Sequence, residues 1–329
     1  MCAATTLAGV IGALGFIRSA NHDMSTRSTT CTGTEMTFEL QDGTVVSPST
    51  PLFITGSGRC GTTLMRRLIV ERSAAVIPPE NYALGKVEQF TGTTQEDWDQ
   101  HCAGAIRRAT TNRKNWRTYG IDAKDAIRLL SSIPPQERTT SNFWHAFHAI
   151  YAVAVGKPSQ SRWGDKTPLN VDRVDHIVSI FPSARFVFMV RDVLDVTYSY
   201  ATMGLKKREG NYLYGAKRWL DANENIKAHL EKYHAQAIVV RYEDLVMRPK
   251  DTVARVLDFA ELPRSSGNGM SESEAKDITT YKHLNNALGE VRGDFIGKGR
   301  SGLPAEVREA IWEVAGTRDL QRFFGYSAD

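Results

Sequence analysis

The run Gly56-Ser57-Gly58-Arg59-Cys60-Gly61-Thr62-Thr63 has the composition of an anion cradle. It follows a short apolar run, Pro51 to Thr55, and precedes an amphipathic segment, Leu64 to Val70, so its setting is strand, tight turn, helix. Glycines let backbone N–H groups converge on an anion, and a helix N-terminus adds positive potential. Gly56 and Gly61 have the spacing G-x-x-x-x-G, but Thr62 stands where a triphosphate-binding loop carries Lys. Phosphoryl transfer from a nucleoside triphosphate needs that Lys and usually Mg²⁺. Hydroxyls plus the internal cation Arg59 suit instead a donor whose single 5′-phosphate carries a less charged leaving group.

A second candidate group lies downstream. Arg185 to Val190 is an apolar run expected of a buried parallel strand, ended by Arg191-Asp192. Ser199 follows in a helical segment, so an Arg at a strand end and a Ser two turns into the next helix can face one site. Val239 to Leu245, with Tyr242 inside it, predicts a strand running into a turn, followed by Pro249 and a helix through Phe259. Gly297-Lys298-Gly299-Arg300-Ser301 predicts a basic glycine loop.

Together these segments resemble the sulfotransferases that use 3′-phosphoadenosine 5′-phosphosulfate (PAPS), as scattered motifs from Pro51 onward. The resemblance implies that Gly58, Arg59, Cys60, Gly61, Thr62 and Thr63 hold the 5′-phosphosulfate. Cys60 departs from the Ser usual in the family, and a thiol is the weaker donor. It further implies that Arg191 and Ser199 grip the 3′-phosphate, with Tyr242 nearby, and that Lys298, Gly299 and Arg300 close over the 3′-phosphate and adenine. The likeness is nearest to the tyrosylprotein and bacterial members. In the tyrosylprotein group a Glu twenty-one residues beyond the loop Arg is the catalytic base, which here is Glu80. A Lys that stabilises the transferring group corresponds to Lys166 in Trp163-Gly164-Asp165-Lys166-Thr167-Pro168, with Arg59 as a second stabiliser and Asp165 expected to orient Lys166. Histidine is the base in many other sulfotransferases, so His145 and His148, three apart on one helix face, remain rivals, with His101 and His176 behind them.

The elements that must position these residues alternate strand and helix. That pattern argues an α/β fold with a parallel sheet covered on both faces. The resemblance makes it the P-loop-type central sheet of a single sulfotransferase domain over 48–329. Residues 1–47 are expected to be a peripheral N-terminal extension, with a hairpin from Met36 to Val46 around Asp42-Gly43. Leu7 to Ile17 is apolar but lacks a preceding basic residue, so it makes a poor secretory signal, and Met24 is an alternative start. The mostly helical stretch from Glu80 to Pro158 is expected to build the acceptor pocket, with Trp144, Tyr151, Tyr212 and Tyr214 as candidate lining. Gly204 to Asn211 is expected to be a mobile charged loop, and Ser265 to Ser273 another loop.

The chain has 329 residues, 41 Lys plus Arg and 37 Asp plus Glu, for a net charge of +4. That suits an anionic ligand and falls short of a nucleic-acid footprint. Cys2, Cys31, Cys60 and Cys102 have neither disulfide nor metal spacing, which predicts a reducing, cytoplasmic setting without a metal. No stretch is long and apolar enough to span a bilayer. Three function classes follow: PAPS-dependent transfer to an acceptor hydroxyl, a P-loop kinase, and a non-catalytic nucleotide-binding module. Thr62 argues against the kinase, and the module would have no use for Glu80 and Lys166.

Overall fold

Strands buried along nearly their whole length place a parallel sheet at the centre of the fold. The computed structural model describes residues 37–203, 212–265 and 269–328, all within the unit Glu35–Asp329. Leu7 to Ile17, Met24, Cys2, Cys31 and Gly204 to Asn211 lie outside the described residues. A two-stranded antiparallel ribbon, β1 (Phe38–Glu39) and β2 (Val45–Val46), opens the described chain. Its Phe38 and Val46 are buried in the main core. The ribbon therefore packs with the domain.

The sheet proper holds β3 (Leu52–Gly56), β4 (Gly164–Lys166), β5 (Arg185–Val190) and β6 (Ala237–Arg241) in the order β4-β3-β5-β6, all parallel. A strand buried on both faces reads as an unbroken apolar run, and β3 and β5 do so for that reason. Successive side chains leave opposite faces. Phe53, Phe186 and Phe188 enter a large core with Trp98, Trp144 and Phe147. Leu52, Ile54, Val187 and Met189 enter a second core with Leu68, Ile69 and Leu257.

Helices fill the crossovers. α1 (Thr62–Arg72) follows β3 directly. α2 (Gln95–Ala109), α3 (Arg113–Trp116), α4 (Ala123–Ser131) and α5 (Thr140–Ala154) precede β4. α6 (Val174–Ile180) precedes β5, and α7 (Val193–Ala201) and α8 (Tyr212–Lys232) precede β6. β6 runs straight into α9 (Tyr242–Met247), not the expected turn, and α10 (Pro249–Phe259) follows. Arg241, extended at ψ 136°, caps that helix, and the acidic Glu243 and Asp244 suit its first turn. α11 (Glu272–Thr280) starts inside the expected loop, where Ser271 and Glu274 form a capping box. α12 (Lys298–Gly302), α13 (Ala305–Glu313) and α14 (Thr317–Phe323) end the described chain. Among the described residues no helix is long and apolar enough to cross a membrane.

Parallel strands share a carboxyl end. The loop after β3, Lys166 ending β4, Arg191 after β5 and Tyr242 after β6 therefore emerge at one edge of the sheet. The chain leaves β3 for β4 on one side and returns to β5 on the other, which opens a crevice at that edge.

Candidate active site

The crevice is a cavity of about 980 Å³, lined by Gly58, Arg59, Gly61, Thr62, Thr63, Glu80, Arg191, Ser199, Tyr242 and Lys298 among others. Gly61, at φ 91°, caps α1 without a side chain, so the first helical N–H groups at Thr62 and Thr63 face the cavity. A Cβ on Gly61 would stand 2.6 Å from the Tyr242 ring, which is why only glycine fits there. Arg59 itself is left-handed, at φ 57°. That conformation costs a non-glycine residue about 1–3 kcal/mol and is typical of functional turns. Its Nε donates to Ser199 Oγ at 3.0 Å and its Nη2 to the His283 carbonyl at 3.4 Å. Burial lowers the Arg59 pKa from its ordinary value.

Arg191 is held from several sides. Its Nη1 donates to the Arg59 carbonyl at 3.1 Å and its Nη2 to the Phe295 carbonyl at 2.6 Å. The guanidinium lies 4.2 Å from the Tyr242 ring centroid, a cation–π contact, and Asp195 Oδ2 stands 3.6 Å from Nη2. Trp219 Nε1 donates to the Arg191 carbonyl at 2.7 Å and so fixes the backbone. The Arg191 Nε is buried without a hydrogen-bond partner among the described residues. A buried guanidinium with an unused donor fits an anion, and so does the glycine turn beside it.

Glu80 and Lys166 meet although they are 86 residues apart, with Lys166 Nζ 2.8 Å from Glu80 Oε1. Lys166 is fully buried and Glu80 is half-buried in the cavity wall. Pro79 and Glu80 are pinned through their carbonyls, by the Tyr119 hydroxyl at 2.7 Å and Asn115 Nδ2 at 2.7 Å. Lys166 pairs with Ile54 and Asp165 with Phe53, so the two side chains leave opposite faces of the sheet. Asp165 therefore does not orient Lys166 by contact. It accepts from Asn170 Nδ2 at 2.8 Å and Thr167 Oγ1 at 3.2 Å, and burial pushes its carboxyl up to about 7.

Several expectations change. Ser199, expected to bind phosphate beside Arg191, has its Oγ engaged by Arg59 Nε. Cys60 is buried, lies outside the cavity lining, and burial raises its thiol pKa. Lys298 to Ser301 is helical, because Asp195 accepts the Gly297 N–H at 2.9 Å and the Gly299 N–H at 2.7 Å and fixes the turn. Gly299 packs where a Cβ would overlap the Leu194 backbone, so its lack of a side chain serves packing. Arg300 reaches toward Asp192 at 3.9 Å and donates to the Ser327 carbonyl at 3.2 Å, outside the lining.

None of the four rival histidines lines the cavity, and His145 and His148 are core residues. His145 Nδ1 accepts from Trp163 Nε1 at 2.8 Å, and His148 stacks on Trp163 with centroids 3.8 Å apart. Burial lowers their pKa values to about 4 and about 3. His101 packs among Phe90, Trp98 and Phe143, and His176 faces the Val87 carbonyl. Trp144 and Tyr151 are fully buried, Tyr212 lies against the core, and of the four aromatics Tyr214 lines the cavity. The middle helices supply little of the wall. Lys282 to Ala287 and Gly289 to Phe295 supply more, including His283, the cavity histidine that sequence reasoning missed. No sequence pattern flags it, since it sits in an irregular 3₁₀ turn. Asp195 was legible in principle, four residues beyond Arg191, in the first turn of the helix that follows it.

The wall is tied to α1 by two arginines. Arg66, fully buried, donates from Nη1 to both Asp277 carboxylate oxygens at 2.8 and 2.7 Å, from Nε to the Ile77 carbonyl and from Nη2 to the Glu274 carbonyl, each at 2.7 Å. Arg67 Nη1 donates to the Leu288 and Gly289 carbonyls, each at 2.7 Å.

The sequence model of the sulfotransferase family matches residues 51–266. A protein-tyrosine sulfotransferase of Drosophila melanogaster is 22% identical over 267 residues, covering 74% of this chain and 48% of that protein. An uncharacterised protein of Aquifex aeolicus is 24% identical over 226 residues, covering 65% of this chain and 26% of its own length. The chain thus spans about half or less of the length of these curated relatives. Among solved structures, the sulfotransferase domain from the curacin biosynthetic pathway superposes with a TM-score of 0.58 at 16% identity, covering 84% of this chain and 98% of that one. The sulfotransferase domain of the Synechococcus PCC 7002 olefin synthase gives 0.54 at 22% identity, covering 85% and 96%. These two likenesses carry the fold, and the family match across most of the chain carries the assignment: the chain belongs to the sulfotransferase family.

Proposed function

We propose that the protein transfers the sulfuryl group of PAPS to a hydroxyl of an acceptor. The observation that carries this reading is the meeting of Glu80, Arg59, Arg191 and the α1 N-terminus at one cavity, with Lys166 buried behind Glu80, outside the lining, and paired to its carboxylate. Thr62 stands where a kinase loop carries Lys, so the competing kinase reading lacks its central cation.

In this reading the glycine turn, Thr62 and Thr63 bind the 5′-phosphate, and Arg191 with Ser199 binds the 3′-phosphate. PAPS supplies an electrophilic sulfur. The acceptor oxygen bonds to it as the bond to the bridging oxygen breaks, and the acceptor proton passes to Glu80. Lys166 and Arg59 offset charge building on the bridging oxygen. Lys298 is exposed and lines the cavity, which supports a contact with donor phosphate in this reading. The acceptor is a hydroxyl compound, and the aromatic wall of Tyr82, Tyr198 and Tyr214 suits an apolar or planar body next to that hydroxyl. Cys60 and Cys102, both free and buried, agree with a reducing, cytoplasmic setting.

Adenosine 3′,5′-bisphosphate (PAP) is expected to stabilise the protein thermally with chelator present. At a hundred times its dissociation constant the gain is about 2.7 kcal/mol. No shift at millimolar ligand, or a strict Mg²⁺ requirement, would overturn the donor assignment.

Arg191→Ala is expected to weaken PAP binding by about 1.5–3 kcal/mol, the range for a charge-assisted hydrogen bond. Calorimetry of both proteins reads this directly. Unchanged affinity would remove Arg191 from the phosphate site.

A further inference from the structure

Both carboxylate oxygens of Glu80 are occupied by protein groups. Lys166 Nζ holds Oε1 at 2.8 Å, and the Tyr82 hydroxyl donates to Oε2. The two donors differ in freedom. Lys166 is fully buried, whereas Tyr82 is 37% exposed and stands in the cavity wall. The backbone beneath Tyr82 is fixed. Asn81 N–H donates to Thr167 Oγ1 at 2.7 Å, and Asn81 Oδ1 accepts the N–H groups of Ala83 at 3.1 Å and Leu84 at 3.3 Å. The ring can therefore turn while its Cα stays in place. Tyr82 also borders a second pocket of about 180 Å³, beside Lys86, Leu169 and Arg173, which lies next to the main cavity.

We propose that Tyr82 is a positioning residue whose hydroxyl occupies the acceptor-hydroxyl place on Glu80 and is displaced when an acceptor enters. This rests on the reading of Glu80 as base and PAPS as donor. A phenol O–H donating to a carboxylate is the same interaction that an acceptor alcohol makes before it loses its proton. While Tyr82 fills that place, its hydroxyl takes the position on Oε2 that an activated water would need, so the donor is shielded from hydrolysis between turnovers. Burial, reinforced by the Glu80 charge, pushes the Tyr82 phenol far above its ordinary value, so it remains a donor at neutral pH. The other charged or titratable groups near Glu80 are Lys166, Arg59, His283, Tyr281 and Asp165. Lys166 alone of these forms a hydrogen bond to its carboxylate among the described residues.

The test is Tyr82→Phe, which keeps the ring and removes the hydroxyl, incubated with PAPS and no acceptor. Release of PAP is expected to rise about tenfold or more over the unmodified protein, the equivalent of one hydrogen bond to a charged acceptor. With an acceptor present, the variant should show a lower acceptor KM with kcat within about twofold, because the acceptor hydroxyl no longer has to displace the phenol from Glu80 Oε2. A role in packing alone would not move KM and kcat apart in this way. PAP-induced thermal shifts are recorded for both proteins in parallel. Equal shifts with unchanged or lower PAP release would overturn the gate and leave the donor reading standing. Absence of any shift in the unmodified protein would overturn both.

Discussion

Glu80→Gln is expected to lower kcat by about 10²–10⁴-fold while PAP affinity stays unchanged. The carboxamide has the volume of the carboxylate, and its oxygen can still accept from Lys166 Nζ, now 2.8 Å from Oε1. What it cannot do is take a proton. The backbone at Pro79 and Glu80 is held by Tyr119 and Asn115, so the replaced side chain stays in the cavity wall. The measurement is single-turnover PAP formation at saturating PAPS, with an acceptor found by sulfate mass gain in a cell extract. His283→Ala belongs beside it, because among the described residues His283 is the histidine that lines the cavity. Near-normal turnover in Glu80→Gln with collapse in His283→Ala would move the base to the histidine. Collapse in both would make the two a coupled pair. His145 and His148 are removed from that contest by geometry, since both are locked around Trp163 in the core and stay neutral at working pH.

The second large effect is on stability. Asp277→Ala is expected to cost about 3–5 kcal/mol, because it leaves the fully buried Arg66 guanidinium without its counter-ion. Replacing both residues by apolar ones, as in Arg66→Met with Asp277→Leu, should recover most of that loss. Denaturant midpoints at fixed slope measure both. A loss under 1 kcal/mol in the single variant would mean that water or another group reaches Arg66. The pair also predicts a pH dependence. Burial alone would raise the Asp277 pKa, but Arg66 outweighs it and the net shift is downward. A carboxylate so held stabilises the fold above its unfolded value, about pH 4, and loses that contribution as pH falls through its lower folded value. Asp277→Ala should therefore flatten the acid limb of stability below about pH 4. The consequence reaches the cavity. Asp277 anchors α11, which leads into the Lys282–Ala287 turn whose His283 carbonyl receives Arg59.

The sequence by itself determined the glycine turn between strand and helix, the parallel sheet and the family. Each of these is local or periodic. A glycine turn between an apolar run and a helix, and apolar stretches such as Arg185–Val190, state their backbone geometry within a few residues. The twenty-one-residue spacing from Arg59 to Glu80 likewise pointed to a residue that the fold brings to the cavity. Tertiary structure alone decided which side chains of that edge touch. Ser199 went to Arg59 because α7 packs over the turn, and Asp165 was parted from Lys166 by the two-residue period of β4. The wall from Lys282 to Phe295 has no repeating pattern to read. It is placed by Arg66 and Arg67 of α1, through contacts more than 200 residues distant in sequence. Contacts at that separation depend on how the whole chain closes, and no local spacing encodes them.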